Sequence, residues 1–333
     1  MKWAVKALLS GVGVWICLQL LKQVDAEELK RSLGVLGFWA PTVLIPYFGV
    51  YLIDAAAWRA CFGAAGIRSI PFATLLRIRW CGESLNNVVP SAYVGGEALK
   101  VVLLAKRGIP TDQATAAAVI SKTVQTLAQL IVLAAAALAF LSLVPSDSPL
   151  RGGLLVVMLG TLTLVAGLFW IQRRGIFGTL ADLLKRLGIH LAILEKSRPK
   201  WQPIDQTITR FYGQERPHFF KALLLYCLGW LLDSLEVWWF AYLIGHPISW
   251  FQALSVEAFV GVAKILGLFV PGALGIQESG ILLVGRAVGL SDSFCLAYAL
   301  VRRAREILFA LIGWGLFTWE GIPLKAVGMT KRA

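Results

Sequence analysis

A chain of 333 residues in which 58% of side chains are apolar and 15% charged is not a soluble enzyme. Soluble domains carry about one quarter charged residues, and a mean hydropathy of +0.72 over this length exceeds what one anchoring helix supplies, so most of the chain belongs in a bilayer. Lys and Arg outnumber Asp and Glu by 32 to 19, for a net charge of +13; in so apolar a chain this marks loops facing anionic lipid and argues against a nucleic-acid partner.

A bilayer crossing needs about 20 mainly apolar residues. In chain order such segments occur at 4–21, 33–57, 113–143, 153–171, 221–244 and 293–318, giving six expected crossings. The first follows Lys2 and Lys6 and has no small-residue cleavage site before Gln19 to Lys22, so it reads as a retained helix. Two more apolar stretches, 71–105 and 251–289, are broken near the middle. One break reads Asn86-Asn87-Val88-Val89-Pro90-Ser91-Ala92-Tyr93-Val94-Gly95-Gly96-Glu97, the other Pro271-Gly272-Ala273-Leu274-Gly275-Ile276-Gln277-Glu278. Pro and clustered Gly stop a helix, and irregular backbone at membrane depth survives only inside protein or along a wet cavity, so both stretches are expected to be re-entrant helical hairpins.

Basic residues orient the crossings. Seven lie between 58 and 110 (Arg59, Arg68, Arg77, Arg79, Lys100, Lys106, Arg107) and ten between 172 and 221, which assigns both segments to the cytoplasm. The segments 144–152, 245–250 and 22–32 are poor in net positive charge and face outward. Six crossings then place both termini inside, in agreement with Lys325, Lys331 and Arg332. The segment 175–220 is basic and amphipathic and is expected on the inner leaflet, with a solvated loop as the plainer reading.

Shifted by 181 residues, the sequence pairs Pro90 with Pro271, Glu97 with Glu278, Gly108 with Gly289 and Lys122 with Arg303. The segments 33–57 and 221–244 would run in opposite directions, so the expected repeat is inverted. The resulting fold class is an all-α polytopic membrane protein: an N-terminal crossing helix and outer loop (1–32), repeat 1 (33–143), a connecting helix with the basic segment (144–220), repeat 2 (221–320) and a cytoplasmic tail (321–333). Inverted repeats with broken helices are a secondary-transporter architecture.

Ionisable groups at bilayer depth are costly and therefore mark function first. Lys122, Gln125, Thr126 and Gln129 share one helix face at spacings of three and four. The run Arg302-Arg303-Ala304-Arg305-Glu306 places three cations and one anion in little more than a turn, with Arg302 and Glu306 spaced to pair. Glu97, Glu278, Asp233 and Glu236 are candidate counter-charges. Two readings remain: a structural ion-pair network, or a buried anion site in which Lys122, Arg302, Arg303 and Arg305 hold phosphate beside helices starting at Gly95-Gly96 and Gly275. The five cysteines (Cys17, Cys61, Cys81, Cys227, Cys295) and the three histidines form no metal-ligand pattern, and no nucleotide or hydrolase motif occurs, so neither a metal nor a cofactor is expected.

Gly95-Gly96-Glu97-Ala98-Leu99-Lys100 followed by Gly108, together with Pro271 to Glu278, resembles the membrane region of lysylphosphatidylglycerol synthases, a flippase-like family that includes stand-alone proteins associated with hopanoid biosynthesis. Ser91 stands where that family often has Gly, and Lys100 where it often has Arg. The resemblance implies the lipid-translocating part without the soluble aminoacyltransferase domain, and carries Glu97, Lys100, Glu278 and Arg303 over as site residues. The expected substrate-binding set is Glu97, Lys100, Lys122, Gln125, Glu278, Arg302, Arg303, Arg305 and Glu306, with no catalytic residue.

The expected protein is a multi-pass inner-membrane flippase or transporter for an anionic-headgroup lipid: phospholipid, aminoacylated phospholipid, polyprenyl phosphate or hopanoid type. Membrane lipids are its expected partners, with lipid-synthesis enzymes as further candidates. The competing enzyme reading is a membrane-embedded transferase acting on a polyprenyl or hopanoid lipid through Asp54, Glu83 or Asp233. A non-transporting scaffold is a third class.

Overall fold

The computed structural model describes residues 34–64, 66–67, 69–88, 94–143, 198–267, 270 and 273–321, with Glu27 and isolated positions between 152 and 178. The expected crossing 4–21, the connection 179–197, both hairpin apices (89–93 and 271–272) and the C-terminal tail lie outside the described residues. The expected crossing 153–171 is described only at isolated positions, all helical.

Every regular element among the described residues is helical. A 3-10 turn over Gly37–Val43, centred on Pro41 with its missing N–H, leads into α1 (Leu44–Ala60). The expected first hairpin becomes α2 (Phe72–Val88) and α3 (Val94–Ala105), followed by the long α4 (Thr111–Leu143). After α5 (Arg198–Gln214) come α6 (Arg216–Leu243), the second hairpin's arms α7 (Trp250–Leu266) and α8 (Ile276–Ala287), and α9 (Asp292–Trp319). Among the described residues, three spans, Gly34–Ala60, Thr111–Leu141 and Arg216–Leu243, are long and apolar enough to cross a membrane. Helix α9 has similar length but carries Arg302, Arg303, Arg305 and Glu306 at mid-length.

The packing pattern crosses the sequence. Helices α1 and α6 pack on each other at the centre; α2 packs on α3 and on α9, while α7 packs on α8 and on α4. Small residues permit these approaches. The arms α2 and α3 meet where Gly96 lies against the Gly82 carbonyl and the Asn86 side chain, leaving no room for a Cβ. Gly313 of α9 is covered by Ser84 and Trp80 of α2, and Gly261 of α7 by Gln129 of α4. Trp80 Nε1 also donates to the Phe309 carbonyl at 2.9 Å, tying α2 to α9.

Both hairpins end alike. Gly108 and Gly289 take left-handed φ values of 84° and 83°, and Ile109 N donates to Leu104 O as Leu290 N donates to Gly285 O, the closing bonds of a Schellman turn. The next helix then starts, α4 at Thr111 and α9 at Asp292.

Helix α5 covers the end of the basic amphipathic segment. Its apolar side, Ile208, Phe211 and Tyr212, is buried against Ala116, Ile120 and Val124 of α4 and Phe219 and Ala222 of α6, so this face serves the protein core and not the leaflet surface.

Candidate functional site

Two clusters of ion pairs occupy the places where hairpin arms meet continuous helices. In the first, Glu97 opens α3 and lies 2.7 Å from Lys100 Nζ and 3.3 Å from Lys122 Nζ of α4. Glu83 of α2 completes it, 3.3 Å from Lys100 and 4.0 Å from Lys122. Lys122 also donates to Gln125 Oε1 at 3.3 Å. One layer away, Arg79 of α2 pairs with Asp54 of α1, and Gln125 Nε2 reaches the same carboxylate at 3.3 Å. The hairpin geometry has a local cause: Asn86 on α2 accepts from Gly96 N at 2.8 Å, satisfying a free amide in the first turn of α3 from the opposite arm.

The second cluster is built on α9. Glu278 in the first turn of α8 accepts from Gly275 N at 2.8 Å through one oxygen and from Arg303 Nε through the other. Gly275 has φ +79°, a left-handed cap that suits glycine. Arg303 also reaches Glu306 at 2.8 Å and the Ala273 carbonyl at 3.3 Å, so one guanidinium fastens the start of α8 to α9. Lys264 at the end of α7 lies 3.3 Å from Glu306. Deeper in, Arg302 forms a fork-to-fork pair with Glu257 of α7, its Nη2 at 2.9 Å from Oε1, and Tyr298 joins through its hydroxyl at 3.0 Å. Arg305 pairs with Glu236 of α6 and stacks 3.5 Å above the Tyr47 ring. Tyr47 in turn meets Tyr51 at 5.3 Å between ring centroids, and the Arg79 guanidinium lies 5.5 Å from Tyr51, so aromatic rings of α1 bridge the two clusters.

All nine expected site residues therefore fall in these clusters: Glu97, Lys100, Lys122 and Gln125 in the first, Glu278, Arg302, Arg303, Arg305 and Glu306 in the second. Their environments differ. Arg302 and Arg305 have side chains only 3% and 1% exposed and are held by carboxylates, whereas Lys122 and Lys264 are 33% and 30% exposed. The carboxylate supply is larger than the single internal Glu of the α9 run, because Glu257 and Glu236 take Arg302 and Arg305. Glu257 and Lys264 were not singled out in the sequence, although Lys264 stands 181 residues after Glu83. Arg79 and Lys100, which the charge count assigned to a cytoplasmic segment, are buried.

Broken hairpins, continuous apolar helices and charges paired inside the helical packing define a helical membrane protein with a polar interior. The chain belongs to the family of the lysylphosphatidylglycerol synthase TM region, whose pattern matches residues 3–313. It is also similar to the UPF0104 membrane protein PH1989 of Pyrococcus horikoshii, with 22% identity over 311 residues, 90% of this chain and 92% of that relative.

Proposed function

We propose that this protein is a lipid flippase or lipid transporter of the inner membrane, a multi-pass protein of two inverted repeats with both termini cytoplasmic, and not an enzyme. The anionic head group of the lipid enters the polar region between the hairpins while its acyl chains stay in the bilayer. Phospholipids, aminoacylated phospholipids, polyprenyl phosphates and hopanoid-type lipids share the required chemistry.

The observation that carries this reading is the partial exposure of Lys122 and Lys264 beside part-buried carboxylates. A lysine one third exposed eleven residues into the 33-residue α4 is costly against hydrocarbon, and favourable along a wet cleft that admits an anion. The repeat is supported by the matching Schellman ends, by the shared start of α4 and α9 relative to them, and by equivalent pairs, Glu97 with Lys122 and Glu278 with Arg303. Arg303 suits phosphate because its fork binds two oxygens, and the carboxylate of Glu278 now holds both Arg303 and the first free amide of α8, the position a phosphate would take. In this reading, head-group binding exchanges Glu278 for phosphate on Arg303, with Lys122 and Lys264 adding charge. Arg302 and Arg305 remain paired as struts. Loss of the Arg303 contacts frees the re-entrant segment around Ala273 to Glu278, which links occupancy to movement of one repeat against the other.

Native mass spectrometry of protein extracted in mild detergent tests the binding step. An anionic lipid that co-purifies with wild type and is lost from folded Lys122→Ala/Arg303→Ala protein supports the reading; equal retention by both contradicts it. A product formed by purified protein from an activated donor and a polyprenyl or hopanoid lipid would favour the transferase instead.

A further inference from the structure

Among the described residues, the second cluster does not balance. Its cations are Lys264, Arg302, Arg303 and Arg305, and the carboxylates paired with them are Glu236, Glu257, Glu278 and Glu306. Asp233 adds a fifth carboxylate, one turn before Glu236 on α6. It forms no ion pair within 4 Å among the described residues, and its Oδ1 is sealed from solvent without a hydrogen-bond partner there. The first cluster, by contrast, sets Asp54, Glu83 and Glu97 against Arg79, Lys100 and Lys122.

The cations around Asp233 are each paired with another carboxylate, although Arg305 Nε and Nη2 have no hydrogen-bond partner among the described residues. Glu257 and Lys264 of α7 and Arg302 and Arg305 of α9 are within electrostatic reach. Each of those cations already has a carboxylate partner at close range, and Glu257 repels a second negative charge. Tyr298 of α9 and Tyr47 of α1 are also within reach of it. On its own helix, Gly229 one turn earlier is filled by Asp54 of α1, which is engaged by Arg79.

We propose that Asp233 is a proton-binding site: its carboxylate takes one proton from water to become a neutral acid, and the cluster thereby passes from one net negative charge to none. A neutral acid has an O–H to donate and can remain among the paired carboxylates. An ionised Asp233 instead competes with Glu236 for Arg305 and with Glu257 for Arg302, the two pairs that fasten α9 to α6 and α7. Protonation therefore biases how firmly α9 is held to the other helices. If the protein translocates lipid as proposed above, this proton is its coupling ion.

Infrared difference spectroscopy of protein in lipid nanodiscs reads the site directly, and independently of transport. At neutral pH the wild type should give a protonated-carboxyl carbonyl band that shifts in heavy water and is missing from Asp233→Asn, while Asp233→Glu should restore it at a displaced frequency. Persistence of the band in Asp233→Asn, or its absence from wild type at neutral pH, overturns the assignment. Should Asp233→Asn fail to fold, the displaced band of Asp233→Glu decides alone. In vesicles, an imposed pH gradient should change the wild-type rate of lipid exchange several-fold and leave the rate of Asp233→Asn insensitive to the gradient; a gradient response retained by Asp233→Asn overturns the coupling role. An Asp233-dependent band in a wild type that moves no lipid would overturn the transport reading while the proton site stands.

Discussion

At the scale of single residues, the interior of this protein is organised by charges that neutralise one another at short range. Arg302 and Glu257 illustrate the energetics: both are nearly fully buried, and the pair gains from two parallel hydrogen bonds and from Tyr298. Such a pair adds little net stability compared with well-packed apolar residues, yet removing one member strands the other. Glu257→Gln is therefore expected to cost about 3–5 kcal/mol, and replacing both partners together, as Glu257→Leu with Arg302→Met, should recover most of the loss. Thermal unfolding of the purified variants checks this; equal losses for the single and double replacements would show that the pair is not the cause. These partners were hidden in the sequence for a physical reason. Glu257 is a lone charge in an apolar run, and helix periodicity says which face it occupies but not which of several cations across the interface it meets.

At the scale of elements, the sequence was far more informative. Pro and Gly clusters at 90–96 and 271–275 interrupt apolar runs that would otherwise continue, and α2 with α3 and α7 with α8 stop and start around them. The reversal of each hairpin depends on small contacts that the sequence names without explaining. Gly96 is required because its Cβ position is filled by the Gly82 carbonyl and Asn86. Gly96→Val should separate α2 from α3 and lower the yield of folded protein sharply, while Asn86→Ala, which removes the hydrogen bond to Gly96 N at 2.8 Å, should cost about 1 kcal/mol. Thermal unfolding and recovery after size-exclusion chromatography measure both; a fully stable Gly96→Val protein would contradict this packing. The amphipathic segment was legible only in pattern. Periodicity identified an apolar side on α5 but could not distinguish a lipid surface from α4 and α6, which is where Ile208 and Phe211 are buried.

At the scale of the whole molecule, α1 pairs with α6 and neighbours are exchanged, α2 on α9 and α7 on α4; in the proposed transporter this arrangement would let one repeat rock against the other. The proposed inverted topology predicts that the two Schellman ends open on opposite sides of the membrane. In vesicles of known orientation, a membrane-impermeant thiol reagent should label Pro110→Cys only from the cytoplasmic side and Ser291→Cys only from the other; labelling of both from one side would overturn the inversion. The central claim, however, is movement of an anionic lipid past Lys122 and Arg303. Leaflet exchange of a labelled anionic phospholipid in reconstituted vesicles tests it most directly. Wild type and Arg286→Ala, which alters only an exposed pair with Asp292, should both accelerate exchange, whereas Arg303→Ala should lose about tenfold or more, the equivalent of one charge-assisted contact. Exchange by folded Arg303→Ala protein at the wild-type rate would contradict the account.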